Sequence, residues 1–422
     1  MKTSTPVALV RNIKLIAWAR TVRYIGWGFG EPLLPIFLLS FSHSFAMAGL
    51  LMALLELTTI ITLPLVGALA DHVPARSLVV IGLLIYPFIG LSYYLAGALG
   101  VVGMIVAARL LNGIGWPFES VGIDTYYRRM VEKGSLLRSF GYIDTFAELG
   151  WILAACVGIF LVKYFPVHTL LLLVAPTSLI AVLLVLRVQR DEISSNEEFR
   201  FASHASHLHR HVLQSYRDVF TEMHTWDQQL HLIAFLAFFG RIIVSFIGFF
   251  VPIVAYVEGA GFTTVILLAI GFALPDLFGY SLGAFADKRN PYSLVGWGLG
   301  VVAIGALLLA LIPDLGIRLG VSFALGIVLE LFAIIEKSLI TDMEMAESFG
   351  RRGGVFTTIS CLGDLSAPLL LGVAIDAIKF SGVAMWIAIM ALLLAIGFWV
   401  FGSRHAHLRA TKEVPVENIQ RI

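Results

Sequence analysis

The hexapeptide Gly67-Ala68-Leu69-Ala70-Asp71-His72 returns as Gly283-Ala284-Phe285-Ala286-Asp287-Lys288, 216 positions further along a chain of 422 residues, and each copy closes a long apolar run. Other landmarks keep nearly the same shift, which a chance match would not do. Arg23 and Pro35 fall near Arg241 and Pro252, Phe140 on Phe356, and Glu148 on Asp364. The two halves therefore run in the same direction, and the chain reads as one membrane unit written twice. A single soluble domain does not explain this.

Composition supports the membrane. A soluble protein carries about 25% charged residues; this chain has 14%, with 59% hydrophobic residues and a mean hydropathy of +0.90. The basic residues are spread over loops and form no single patch, so the charge does not point to nucleic acid and no nucleic-acid partner is expected. Cys156 and Cys361 both lie inside apolar runs, so neither a disulfide framework nor a cysteine metal site can be read, and no cofactor is expected. Basic residues precede the first apolar run without a small-residue cleavage site, so a retained first span is expected.

A window of about 20 residues places helices near 22–42, 46–70, 77–98, 101–127, 139–162 and 169–187. A second set follows near 230–257, 262–286, 291–313, 318–346, 354–379 and 381–402. The expected fold is all-α: twelve transmembrane helices in two six-helix bundles related by a pseudo-twofold axis. The expected units are an N-terminal bundle over 1–187, a cytoplasmic central loop over 188–229, a C-terminal bundle over 230–403 and a cytoplasmic tail over 404–422. Alternate loops are rich in Arg and Lys, and basic residues resist translocation, so both termini and the central loop are expected in the cytoplasm. Within that loop Leu208, Val212, Tyr216, Val219 and Met223 recur at helical spacing, which reads either as an amphipathic helix on the membrane surface or as a solvated linker. The chain has no Asn-x-Ser/Thr sites, and a prokaryotic inner membrane is the expected location.

Six plus six spans in direct repeat, with a cytoplasmic central loop, resemble the major facilitator superfamily over nearly the whole chain, and two local motifs strengthen the likeness. The loop after the second helix reads Gly67-Ala-Leu69-Ala70-Asp71-His72-Val-Pro74-Ala75-Arg76, similar to the family's Gly-x-Leu-Ala-Asp-Arg-x-Gly-Arg-Arg. Glycine permits close helix packing, and an aspartate at a helix end can hold one conformation by pairing with cations or helix termini. Gly67, Asp71, Arg76, Gly283 and Asp287 are therefore gating candidates. In the fourth helix Arg109-Leu-Leu-Asn112-Gly113-Ile-Gly115 resembles the family's Arg-x-x-Gln-Gly-x-Gly. The Gly-Pro-x-x-Gly-Gly signature of many family antiporters is absent from the fifth helix, where the chain reads Phe146-Ala147-Glu148-Leu149-Gly150-Trp151. That weakens membership of the drug/proton antiporter branch, and sugar-porter signatures are also missing.

Glu31, Glu56, Glu119, Glu148, Asp276, Glu330, Glu336 and Asp364 fall inside expected spans, against Arg109, Lys337 and, near one end, Arg241. Unpaired carboxylates are not tolerated in hydrocarbon, so some must be protonated, hydrated or available to a cation. Arg109, Asn112, Trp116 and Glu119 follow at spacings of three and four, a single stripe, although Pro117 can kink it. Glu330 and Lys337 share a face; Asp144 with Glu148, and Thr357, Ser360 and Asp364, make opposed polar stripes. The family resemblance implies that helices 1, 4, 7 and 10 line a substrate cavity, nearest Glu31, Arg109, Glu119, Glu330, Glu336 and Lys337. Glu148 and Asp364 occupy equivalent places and are candidates for a proton site or for symmetric gating. For any single acid the plainer alternative is an interhelical hydrogen bond.

Three matches carry less weight. Gly279-Tyr280-Ser281-Leu282-Gly283 spells a nucleophile elbow but has no strand before it. His204, His207, His209 and His211 lack companion cysteines, so no metal is expected. Gly298 and Gly300 suit helix packing better than dinucleotide binding. The reading is a secondary active transporter of a small solute, a non-enzyme, expected as a monomer in the bilayer. Proton coupling and export of a cationic or amphipathic compound are expected. An importer or uniporter of a metabolite, and a non-transporting sensor or scaffold, are the alternatives.

Overall fold

The computed structural model describes residues 6–70, 72–130, 136–189, 191, 228–286, 288–344 and 351–410, and the side chains among them except those of 6–10, 136–143, 228–230, 280, 337–344, 351–358 and 401–410. The possible amphipathic helix, the histidines of the central loop, Asp71, Asp287 and the side chain of Lys337 lie outside the described residues.

The described elements are helices, and grouping them across their breaks fits twelve spans. Span 1 is Pro6–Gly28 and Leu34–Ser42, joined through a 3-10 turn at Glu31–Leu33. Span 2 is Phe45–Ala70, span 3 Ala75–Leu99, span 4 Val102–Met130, span 5 Leu136–Leu161, and span 6 Val167–Leu172 with Val174–Val185. Span 7 runs Gln228–Ser245, a π turn at Phe246–Phe250, and Val251–Val257; span 8 runs Phe262–Ala273, a 3-10 turn at Leu274–Phe278, and Gly279–Ala286. Span 9 is Pro291–Leu311 and span 10 Leu315–Glu344. Spans 11 and 12 share Arg351–Ala410, which breaks at Lys379, where φ is +64°.

Local chemistry sets these boundaries. Gly100 ends span 3 in the left-handed region at φ +69°, where glycine has no Cβ penalty. Asn290 starts span 9 by accepting from the N–H of Tyr292 at 2.9 Å, and Pro291 fills the first helical position. Asp314 accepts from Ile317 N at 2.9 Å to start span 10. Span 4 is apolar in its first turns but then carries Arg109, Asn112, Glu119 and Asp124. It is absent from the nine described helices apolar enough to cross a membrane by hydropathy alone.

Large apolar side chains such as Phe88, Leu183, Trp297 and Leu393 are about three-fifths exposed. In water such surface would drive association; in lipid it is a solvent-facing belt. The opposite faces form one apolar core that runs through both bundles.

One expectation is corrected. The first helix begins at Pro6, well before 22, so Arg20 and Arg23 lie within it rather than ahead of it or at its lip. Hydropathy cannot see a charge whose partner is on another helix, and both arginines have one.

The bundles meet along two seams, span 2 against span 11 and span 5 against span 8. The end where the termini lie is here termed the terminal end, the opposite one the distal end. At the distal end Leu33 and Ile36 of span 1 pack with Ala155 of span 5 and Val265 and Ile266 of span 8. Phe45 meets Phe250 at a ring separation of 6.5 Å. Toward the terminal end, by contrast, Gly67 and Gly240 have nothing among the described residues within 4 Å of the place a Cβ would occupy. The close packing expected at Gly67 and Gly283 is not seen among the described residues: a Cβ on Gly283 would meet a methyl of Ile334, in its own bundle, at 4.0 Å.

Candidate functional site

The span 4 motif is built as a packing device with a charge at its head. Arg109 is 2% exposed and donates from Nε to the Leu51 carbonyl at 3.2 Å and from Nη2 to the Met52 carbonyl at 2.6 Å. Backbone carbonyls of span 2 thus receive the guanidinium. Gly113 lets span 4 lie against the Leu55 carbonyl and Thr58, while Gly115 faces Ile85 and Gly82 of span 3. A side chain at Gly113 would collide with the Leu55 carbonyl and part the helices, whereas one at Gly115 would meet Ile85 at 3.3 Å, a tight contact. Asn112 is buried, yet Trp116 is 39% exposed, so the expected stripe does not share one environment.

Glu119 closes that stripe inside the N-terminal bundle. One oxygen is 2.8 Å from Arg23 Nε, and the other accepts from the Tyr86 hydroxyl at 2.8 Å. The Arg23 guanidinium also lies over the Tyr24 and Tyr86 rings, at 4.3 and 4.9 Å from their centroids. Three spans are pinned by one charge pair, and both sides are nearly free of water.

The remaining acids gather at breaks and seams. Glu31 stands in the break of span 1 and accepts from Trp151 Nε1 at 2.8 Å. Adding the repeat shift to Glu31 gives Ile247, inside the π turn of span 7, so the two bundles interrupt the same helix at the same depth. Interrupted helices are where transporters of this build place binding groups.

Asp276 occupies the 3-10 break of span 8, with Glu330 of its own bundle and Glu148 of the other bundle as its charged neighbours. Glu330 Oε1 would lie 2.8 Å from a Cβ on Gly279, so that glycine opens room for the carboxylate. Around Glu148 are Glu31, Arg20, Asp144 and Arg23, with Arg20 bound to Asp144 at 2.8 Å. At the other seam Asp364 lies 3.6 Å from Arg241, and Glu56 of span 2 is within electrostatic reach of Asp364, Arg109 and Arg241.

Glu148 and Asp364 therefore do not pair with each other. Each sits on one seam, within electrostatic reach of an acid of the opposite bundle, Asp276 for Glu148 and Glu56 for Asp364. The repeat shift carries Glu148 onto Asp364, whereas it carries Glu56 onto Phe272, four residues before Asp276. Glu336 is half-buried on span 10, Ser360 is buried on span 11 beside this region, and Arg76 lies apart, at the terminal end.

Sequence reasoning named Glu56 without giving it a place in the path, and it missed Arg20, Arg23, Tyr86 and Trp151. The equivalence of Arg23 with Arg241 was the available signal. It also missed Asp191, whose fully buried carboxylate accepts from Ala75 N at 2.9 Å and Arg76 N at 3.2 Å and pairs with Arg129 at 2.7 Å. Arg76 itself donates to the Leu186 carbonyl at 2.8 Å, so this gating candidate is tied to the end of span 6.

Similarity to known proteins agrees with this architecture. Residues 16–329 match the family described as Major Facilitator Superfamily. Multidrug resistance protein 2 of Bacillus subtilis (strain 168) is 23% identical over 183 residues, 43% of this chain and 45% of that protein. Quinolone resistance protein NorA of Staphylococcus aureus (strain Mu50 / ATCC 700699) is 23% identical over 140 residues, 33% of this chain and 35% of NorA. The chain thus spans less than half the length of these curated relatives. Among solved structures, the nucleoside transporter NupG superposes with a TM-score of 0.70 at 14% identity, over 92% of this chain and 98% of that one. A bacterial homolog of the human lysosomal transporter Spinster, solved inward-facing and unoccupied, gives 0.71 at 13% identity, over 95% and 98%. The D-xylose-proton symporter gives 0.65 at 15% identity, over 93% and 96%. With two six-helix bundles, interrupted helices at equivalent depth and a family match across most of its length, this chain belongs to the Major Facilitator Superfamily.

Proposed function

We propose that this family member is a proton-coupled secondary transporter that exports a cationic or amphipathic small solute by alternating access. The observation that carries the reading is that carboxylates from both bundles lie within electrostatic reach of each other at both seams, Glu148 and Asp276 at one and Glu56 and Asp364 at the other. Two like charges facing each other across a low-dielectric seam repel, and a proton on either member removes that repulsion. Protonation thus biases how closely the bundles approach, and the bias is the link between a proton gradient and the rocking of the halves.

The names of the distant relatives, multidrug and quinolone resistance proteins, favour export, and the surplus of acids over bases favours a cationic solute. In a bacterial inner membrane with cytoplasmic termini, contact at the distal end corresponds to an inward-facing state. The chemistry is carriage rather than catalysis: Ser281 lies on a helix, without the strand and sharp turn that expose a nucleophile.

A second reading, a uniporter that uses the acids as structural pairs, is favoured by the ion pair of Asp364 with Arg241. Flux through purified protein in liposomes, with and without a pH step, separates the two. Flux that rises with the step supports coupling, and flux indifferent to it supports the uniporter.

A further inference from the structure

Asp376, near the distal end of span 11, reaches across to the other bundle and caps the first turn of span 2. Its two oxygens accept from Phe45 N at 3.2 Å and from Ala46 N at 2.8 Å, while Ser44 Oγ accepts from Met47 N at 3.1 Å. The first N–H groups of a helix have no partner within it and carry its positive end, so a carboxylate there satisfies donors and dipole together. Here the carboxylate comes from a residue some 330 positions away, in the half that must move relative to span 2 if the protein is to open at this end.

The approach that makes this contact possible depends on two glycines, one from each bundle. A Cβ on Gly49 would collide with the Pro368 carbonyl, and one on Gly372 with the Phe45 carbonyl. The other seam is built differently. The position equivalent to Asp376 is Phe160, and the start of span 8, Phe262, joins an apolar cluster with Ile159, Val162, Val265 and Ile266. The distal end is thus closed by apolar packing along one seam and by a polar, geometrically exacting contact along the other.

We propose that the Asp376 carboxylate on the span 2 N-terminus is the latch that holds the distal end shut, and that releasing it is a required step of opening to that side. This rests on the alternating-access reading above. The pair suits a cycling part: Asp376 is exposed, so water can take over both the donors and the carboxylate when the seam opens, and the contact remakes without trapping a buried charge. Asp376 is a positioning residue, acting on the bundles rather than on solute.

The test is a distance between the bundles. Spin labels at Val101→Cys and Ile312→Cys, both at the distal end and in different bundles, in a background with Cys156 and Cys361 replaced by alanine, report the gap by pulsed electron resonance in nanodiscs without solute. The parent should show a dominant short distance. Losing a helix cap is worth roughly a fivefold change in equilibrium, so Asp376→Ala should raise the ratio of long to short distances by about fivefold. Asp376→Asn, which keeps one acceptor, should raise it less, and Gly372→Ala, which wedges the same seam, should move it in the same direction. Distributions unchanged in Asp376→Ala, or in Asp376→Asn and Gly372→Ala should the alanine variant fail to insert, overturn the latch. The readout needs no proton gradient and no transported solute, so it stands or falls separately from proton coupling.

Discussion

Glu119 and Glu148 are both acids in the middle of a span, yet their surroundings give them opposite work. Both oxygens of Glu119 are engaged, by Arg23 and Tyr86, and its side chain is 3% exposed. Removing one partner of such a pair strands a buried charge and costs about 3–5 kcal/mol, whereas replacing both by apolar groups is often near neutral. Arg23→Met should therefore lower unfolding stability in detergent by about 3 kcal/mol, and Arg23→Met combined with Glu119→Leu should recover most of it. A double variant no more stable than the single one would contradict the assignment of Glu119 as a structural anchor. Among the described residues Glu148 has no such ion pair, and it lies within electrostatic reach of Asp276 across the seam. Glu148→Gln should remove proton-driven flux while leaving thermal stability at or above the parent value, a separation read by running both assays on one preparation.

At the scale of elements, irregular turns and borrowed caps decide where the chain can act. The clasp made by Asp191 ties the stretch after span 6 to the start of span 3 and to Arg129 at the end of span 4, with Arg129 also bonded to the Ala70 carbonyl. Asp191→Ala should free the amides of Ala75 and Arg76. A lost cap is worth about 1 kcal/mol, so exchange of those amides with deuterium should speed up by at least roughly fivefold while span 9, capped by its own Asn290, stays unchanged. Equal protection in the variant and the parent would show that the clasp is not what holds the start of span 3.

Much of this level was legible beforehand. Hydropathy finds apolar runs and the repeat finds their order, so spans 2, 3 and 9 lie within a few residues of their expected bounds. Span 1 did not, because Arg20 and Arg23 look like a basic flank until Asp144 and Glu119 are placed beside them. The caps supplied by Asp191 and Asp376 come from residues more than 100 positions away from the amides they satisfy, and no local pattern carries that information. The breaks at Glu31 and Asp276 had a weak local sign, a proline beside an acid in Glu31-Pro32 and Pro275-Asp276. Each proline withholds one backbone donor and so loosens the helix where the carboxylate sits. Trp116 shows the limit of periodic reasoning: the position after it is Pro117, and the stripe predicted through it does not share one environment.

For the whole molecule, duplication explains why each seam carries an acid at the same place on spans 5 and 11. An axis that carries span 2 onto span 8 and span 5 onto span 11 makes one seam the image of the other, so Glu148 and Asp364 correspond, while the acids of spans 2 and 8, Glu56 and Asp276, stand about one helical turn apart in register. Arginines attend both seams, Arg109 and Arg241 beside Glu56, Arg20 and Arg23 beside Glu148. Both seams should therefore respond to proton occupancy, and Asp276→Asn and Glu56→Gln should each impair coupling when compared by flux at equal protein load; impairment in neither would contradict a role for the seam acids.

The measurement closest to the central claim is flux driven by a pH step in proteoliposomes, using lipophilic cations such as tetraphenylphosphonium and ethidium as probes and following the internal proton concentration at the same time. The account predicts that the parent exchanges cation for proton, that the step sets the direction, and that Glu148→Gln and Asp364→Asn lose the driven component while remaining inserted and folded. Driven flux undiminished in both variants, or parent flux that ignores the pH step, would contradict it.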